Sequence, residues 1–280
     1  MHLVIQGADI ETSDLKALAK LSGAATIDKL DDQAFRLRDA QPAAGIAGHC
    51  AQARLDYGFV PGGRRLSDFR LLVMDMDSTL ITMETIDELA DMIGIKPQVA
   101  AITERAMRGE IEYDQSLLER LALLEGLDVS ALQRVYDERL RLSPGAERML
   151  HKVRAAGIRT LLVSGGFTFM TDRLKDRVRL DYTHSNVLEI ADGKLTGRVS
   201  GGIVNAAAKR AALLEVAAGL GLQRGQIAGV GDGANDLKFM AECGVSIAYR
   251  AKPVVREQTT YAINHAGLDA LPWFLSAESD

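Results

Sequence analysis

The run Leu71-Leu72-Val73-Met74 ends on Asp75-Met76-Asp77-Ser78-Thr79, and no other junction constrains the fold as much. Four apolar residues bounded by charge suit a strand buried on both faces, as in a parallel sheet. Open parallel sheets bind ligands at the carboxyl ends of their strands, where these two carboxylates fall. Two acids so close are costly without a cation, so the arrangement asks for a divalent metal and a phosphate. Taken alone, Asp-x-Asp also fits a solvated turn at a strand end.

The rest of the chain supplies the sheet. After Ser143-Pro144-Gly145, strand and helix patterns alternate. Strands are expected at 158–163, 227–230, 245–248 and 261–263, and helices at 169–177 and 206–218. Asp192-Gly193, inside 187–204, is a strong hairpin signal. This alternation predicts an α/β fold, a Rossmann-like three-layer core around a parallel sheet. Residues 82–140 read as wholly helical, with apolar faces such as Ile86, Leu89, Ala90 and Ile93. A helical insert beside the first core strand is a natural cap over a site. Residues 1–68 read as a separate small α+β unit. Strands at 3–5, 24–30 and 34–38 and helices at 14–21 and 43–57 give β-α-β-β-α, most of a ferredoxin-like unit. Thr12 or Ser13 is available to cap the first helix. The closing strand is not evident, and Pro61-Gly62-Gly63-Arg64-Arg65 reads as a turn and linker. With no catalytic motif before that linker, the remainder is expected to keep basal catalysis without residues 1–68.

Composition narrows the class. The chain has 280 residues, 47% hydrophobic and 25% charged, with net charge -5. That is an ordinary soluble globular balance with no basic footprint for nucleic acid. No apolar run approaches the ~20 residues of a membrane helix, and residues 1–6 lack the pattern of a signal peptide. Two cysteines, Cys50 and Cys243, without metal-ligand spacing read as reduced residues of a cytoplasmic protein. Five scattered His argue against zinc.

Three more polar groups follow strands or helices. Val163-Ser164-Gly165-Gly166 offers a hydroxyl and free N–H groups that can hold a phosphate, or simply a Gly turn. Lys209 lies in the Ala-rich helix, where a lone Lys is usually solvated. Val230-Gly231-Asp232-Gly233-Ala234-Asn235-Asp236 puts acids where a Rossmann motif would hold pyrophosphate, which suits a metal instead. In this order the four pieces resemble the haloacid dehalogenase superfamily of aspartate-nucleophile phosphatases. Glu84-Thr85-Ile86-Asp87, Ile102-Thr103-Glu104-Arg105-Ala106-Met107 and Ser164-Gly165-Gly166-Phe167 narrow the resemblance to the phosphoserine phosphatase family, over about 70–270. The N-terminal unit resembles the amino-acid-sensing ACT-like domain that some bacterial members carry.

The resemblance implies a small ACT-like domain at 1–68, a catalytic core at 69–81 and 141–280, and a helical cap at 82–140. It implies Asp75 as nucleophile and Asp77 as general acid, then base. Mg²⁺ would be held by Asp75, Asp232 and the backbone carbonyl of Asp77. Ser164, the Gly165 N–H and Lys209 would hold the phosphoryl oxygens, Asn235 would contact substrate or phosphate, and Asp236 would orient ligands. In the cap, Glu84 would bind the ammonium of O-phosphoserine and Arg120 its carboxylate. Met107 and Tyr113 would form the lid's apolar wall, Tyr113 standing where the family pattern expects Phe. The implied reaction is hydrolysis of O-phospho-L-serine, the last step of serine biosynthesis. Another small phosphomonoester, phosphotransfer to an alcohol, or an aspartyl-phosphate signalling switch remain alternatives. The sequence leaves a homodimer, serine feedback and the ligand of residues 1–68 open.

Overall fold

The computed structural model describes residues 1–278. In chain order the strands are β1 (His2–Gln6), β2 (Thr26–Asp31), β3 (Ala34–Arg38), β4 (Asp56–Val60), β5 (Leu71–Met74), β6 (Arg159–Phe167), β7 (Tyr182–Ala191), β8 (Lys194–Ser200), β9 (Ile227–Gly231), β10 (Val245–Tyr249) and β11 (Tyr261–Ile263). The helices are α1 (Thr12–Ser22), α2 (Ile46–Gln52), α3 (Thr85–Met92), α4 (Lys96–Met107), α5 (Tyr113–Ala122), α6 (Ser130–Arg134), α7 (Ala146–Ala155), α8 (Thr168–Val178), α9 (Ala206–Gly219), α10 (Leu237–Met240), α11 (Pro253–Arg256) and α12 (Leu271–Leu275). The chain is a mixed α/β protein whose larger strand set is mostly parallel, with a small antiparallel sheet at its N-terminus. It forms two compact units.

The first unit comprises Met1–Val73, Ser143–Arg159 and the chain from Ala217 on. Its small sheet has the order β2-β3-β1-β4, the antiparallel order of a complete ferredoxin-like unit. The strand that closes it is β4. A helix expected over 43–57 is in fact two elements, α2 and β4. One sheet face, with Leu3, Ile5 and Leu37, packs with Leu15 and Leu18 of α1 and Ile46 and Cys50 of α2. α1 starts at Thr12 after Glu11, and neither Thr12 nor Ser13 caps it; the Ser13 hydroxyl donates to Glu11 Oε2 at 2.9 Å. The other face lies on the C-terminal segment. There Gln6 Nε2 donates to Ala270 O at 2.9 Å and Arg36 Nη2 to Ser276 O at 3.2 Å. This unit also holds the run β11-β10-β9-β5. β5 and β9 are buried at every residue, which explains their unbroken apolar character.

The second unit comprises Met74–Leu142 and Thr160–Val216. Here β6 pairs β7 in parallel and β7 pairs β8 antiparallel. Asp192 and Gly193 both have positive φ, 50° and 74°, as a type I′ hairpin turn demands. The helical insert is stitched to this hairpin. Gly126 N donates to Leu195 O at 2.8 Å, Leu195 N to Leu127 O at 2.9 Å and Val129 N to Gly193 O at 2.9 Å. A side chain at Gly197 would meet the Ala122 backbone at 3.1 Å, so glycine lets β8 approach the end of α5. Among the described residues no helix is long and apolar enough to cross a membrane.

Candidate active site

The chain leaves β5 extended at Asp75 (φ -76°, ψ 161°) and then turns sharply through Met76–Leu80. Ser78 sits in the left-handed region at φ 56°. A non-glycine residue there costs about 1–2 kcal/mol, and the turn offsets that strain locally. Ser78 N donates to Met83 O at 3.2 Å, Ile81 N to Met76 O at 3.0 Å, and Ser78 Oγ to Glu84 Oε1 at 2.5 Å. The fold-back carries Thr85 to Asp77. Thr85 N and Oγ1 both donate to Asp77 Oδ1, at 2.9 and 2.6 Å. Ser164 Oγ approaches Asp77 Oδ2 at 3.4 Å. Burial raises the Asp77 pKa; the Thr85 hydrogen bonds, the Lys209 charge and Ser164 pull the other way. A carboxyl biased toward its protonated form suits a general acid.

Lys209, expected to be solvated if it were an ordinary helix lysine, is buried. Its Nζ donates to Asp75 Oδ1 at 2.6 Å, and both side chains are under a tenth exposed. Such a pair is stable only with further polar partners, and both residues have them. The helix that delivers Lys209 is capped by Asn205. Asn205 Oδ1 accepts from Ala207 N and Ala208 N at 3.0 and 3.2 Å.

Ser164 is fully buried, and its Oγ accepts from Gly166 N at 2.8 Å. Asn186 braces this strand end. Its Nδ2 donates to Gly165 O, and its Oδ1 accepts from Val204 N, each at 2.8 Å. Two glycines make close approach possible. A Cβ at Gly165 would lie 2.0 Å from the Tyr113 hydroxyl, and one at Gly166 would lie 2.8 Å from Asp77 Oδ2.

From the cap, Tyr113 opens α5 and its hydroxyl lies against Gly165. Burial pushes its phenol up to about 12, with Lys209 and Arg120 lowering it and Asp75 and Asp77 raising it. Next in sequence, Asp114 accepts from Asn205 Nδ2 with both oxygens, at 3.0 and 3.1 Å. Arg120 lies on the same helix, where its Nε donates to Ser116 O at 3.2 Å. Glu84 is exposed at the N-terminus of α3, and Met107 ends α4 at 64% exposure.

The second unit therefore brings together Asp75, Asp77, Ser164, Gly165, Lys209 and Tyr113, with Glu84 on the adjoining turn. Asp232, Asn235 and Asp236 belong to the first unit, just past the end of β9. There Asp236 is fully buried, and its Oδ2 accepts from Gly233 N at 3.1 Å. Gly231 is needed beside it, because a Cβ there would lie 2.5 Å from Asp236 Oδ2. Sequence reasoning assigned no role to Thr85, Asn186, Asn205 or Asp114. Thr85 stood within a quoted motif, but the turn that aims it at Asp77 is not visible in residue types.

A family model for haloacid dehalogenase-like hydrolases matches residues 72–241, and one described as a domain of unknown function matches residues 3–46. A phosphoserine phosphatase of Polaromonas sp. is 55% identical over 212 residues, covering 74% of this chain and 90% of that protein. Among solved structures, a HAD family hydrolase from Salmonella enterica serovar Typhi superposes with TM-score 0.89 at 32% identity, covering 99% of both chains. A probable phosphoserine phosphatase from Vibrio cholerae, in unliganded form, gives TM-score 0.86 at 35% identity, covering 99% of this chain and 86% of that one. The chain belongs to the haloacid dehalogenase-like hydrolases, and within them to the phosphoserine phosphatase family. It is a phosphatase enzyme.

Proposed function

We propose that this chain hydrolyses O-phospho-L-serine to L-serine and phosphate through an aspartyl-phosphate on Asp75. The observation that carries the reading is the buried 2.6 Å Lys209–Asp75 pair, two residues from a carboxyl, Asp77, with a raised pKa. Asp75 Oδ attacks phosphorus, and the P–O bond to serine breaks. Asp77, protonated, gives its proton to the departing serine oxygen. It then takes a proton from the water that releases phosphate from Asp75. Lys209, Ser164 and the Gly165 N–H hold the equatorial oxygens and balance their charge. Glu84 and Arg120 receive the ammonium and carboxylate of the substrate, with Met107 and Tyr113 enclosing it. Asn235 contacts the phosphoryl group, and Asp236 orients the loop after β9 by holding Gly233 N.

Asp75 at the end of β5 and Asp232 after β9 each offer a carboxylate of the kind that holds a metal ion. An all-oxygen donor set with no His or Cys fits a hard divalent cation, and we assign Mg²⁺ to Asp75, the Asp77 carbonyl and Asp232. When bound, that ion neutralises phosphoryl charge. The reading divides the chain into a small domain at 1–68, related to ACT modules, a core at 69–81 and 141–280, and a cap at 82–140. A cytoplasmic setting fits two buried free cysteines, Cys50 and Cys243.

The test is phosphate release from phosphoserine, phosphothreonine, phosphotyrosine and sugar phosphates, with EDTA and with Mg²⁺ restored. Phosphoserine should lead by kcat/KM, and EDTA should stop turnover. Full activity in metal-free buffer, or a preference for a sugar phosphate, would overturn the reading.

A further inference from the structure

We propose that the hydroxyl of Tyr113 is a hydrogen-bond donor to a phosphoryl oxygen of the bound substrate. The proposal rests on the phosphatase reading above and adds a contact from the cap to the reacting group itself.

The first argument is position. Gly165 lies in the strand-end turn after Ser164, the turn to which the phosphatase reading assigns the phosphoryl oxygens. The Tyr113 Oη lies so close to it that a Cβ at Gly165 would be only 2.0 Å away, with Tyr113 Cζ at 3.3 Å. The tyrosine thus brings the oxygen, and not just the ring edge, to the phosphate-holding turn. A lid that served only to exclude water would need the ring alone.

The second argument is surroundings. The phenol senses Lys209, Arg120, Asp75 and Asp77 together, the groups that hold phosphate, carboxylate and the reacting atoms. With its titration pushed up to about 12, it stays neutral and keeps its proton through the working range. A neutral phenol can donate beside a phosphate dianion, where another carboxylate could not. Among the described residues the hydroxyl has no hydrogen-bond partner of its own, so its proton is available. The third argument is preorganisation. Asp114, adjacent in sequence, accepts from the single Asn205 Nδ2 with both of its oxygens, at 3.0 and 3.1 Å. Asn205 in turn caps the helix carrying Lys209. The first turn of α5 is therefore fixed relative to the lysine, and the hydroxyl needs little reordering to meet the phosphoryl oxygens.

Tyr113→Phe tests this cleanly, because it keeps the ring and removes one oxygen. Wild type and variant are compared in kcat and KM for phosphoserine and p-nitrophenyl phosphate, and in orthophosphate affinity by calorimetry. The expected result is a loss of about ten- to a hundredfold in kcat/KM. The loss should be equal for the two esters, since the contact is to the group they share, and orthophosphate should bind more weakly. The melting temperature should not move. If kcat/KM and phosphate affinity both stay within about twofold of wild type, the hydroxyl is only a space-filling group and the proposal falls. It falls equally if only phosphoserine suffers, which would place the hydroxyl on the amino-acid part. A wild type that turns over p-nitrophenyl phosphate but not phosphoserine would sink the substrate reading and leave this comparison intact.

Discussion

At the scale of single residues, the chemistry depends on how two adjacent acids are made different. Asp75 faces a buried lysine at 2.6 Å. Asp77 is pushed toward its protonated form by burial, and Thr85 fixes its orientation with two hydrogen bonds. Asp75→Asn should abolish turnover, by at least ~10³-fold, because an amide does not attack phosphorus. Its remaining oxygen still accepts from Lys209, so circular dichroism should report a folded protein. Near-normal turnover in that variant would remove Asp75 from the nucleophile's role. Thr85→Val deletes the 2.6 Å bond and keeps the 2.9 Å one. One ordinary hydrogen bond is worth about 0.5–1.5 kcal/mol, so kcat should fall roughly two- to tenfold while KM changes little. An unchanged kcat would show that the backbone N–H alone positions Asp77. The two acids were legible in the sequence because Ser164, Lys209 and the Gly231–Asp236 run follow them in a set order; alone, Asp-x-Asp also fits a solvated turn. Thr85 was not, because its role comes from the left-handed turn at Ser78.

At the scale of elements, regular periodicity was readable and irregular pairing was not. β5, β9 and β10 are short apolar runs, and the Asp192-Gly193 turn is local chemistry, so each announced itself. β4 did not. Its buried positions are Asp56, Gly58 and Val60, so the core-facing side of the strand carries an acid and a glycine. Alternation is thereby masked, and the preceding apolar residues extend a helical reading into it. The reasons for both residues are non-local. Asp56 accepts from the amides of Asn264, His265 and Ala266. A Cβ at Gly58 would lie 2.6 Å from the Tyr261 ring. The link between α5 and α9 is likewise non-local, 91 residues apart. Asp114→Ala should free the first turn of α5 and raise KM for phosphoserine several-fold, with kcat nearly kept. The exchange Asp114→Asn with Asn205→Asp restores one donor–acceptor pair and a good helix cap, and should recover most of the loss. If the single variant leaves KM alone, the pair is surface decoration.

At the scale of the whole molecule, the small N-terminal sheet is built into its own compact unit and not merely tethered by 61–65. Trp273 Nε1 donates to Asp31 Oδ2 at 3.0 Å, and Tyr261 Oη to Phe59 O at 2.9 Å. Leu271, Phe274 and Leu275 of α12 are fully buried in this unit. The absence of catalytic motifs before residue 61 made residues 1–68 look dispensable; these contacts argue that they are not. Uncovering Phe274, whose ring lies 3.0 Å from where a Cβ at Gly58 would sit, costs about 1.5–3 kcal/mol. Three partly buried amides left without Asp56 add at most about 1–3 kcal/mol each. Together these rival the 5–15 kcal/mol by which a typical domain is stable. Truncation to residue 69 should therefore give an aggregating or poorly folded protein. A gentler test keeps the full chain. Asp56 is 2% exposed and its oxygens receive amides at 2.7, 2.9 and 2.8 Å. Asp56→Ala should cost about 3–5 kcal/mol in urea unfolding, the penalty for a broken buried network. Asp56→Asn, which keeps one accepting oxygen, should cost roughly half. Below the unfolding transition kcat should stay at the wild-type value in both variants, because Asp56 touches no reacting group. If Asp56→Ala unfolds at the wild-type urea concentration, the sheet contributes little to the core's stability, and catalysis without residues 1–68 becomes the expected outcome.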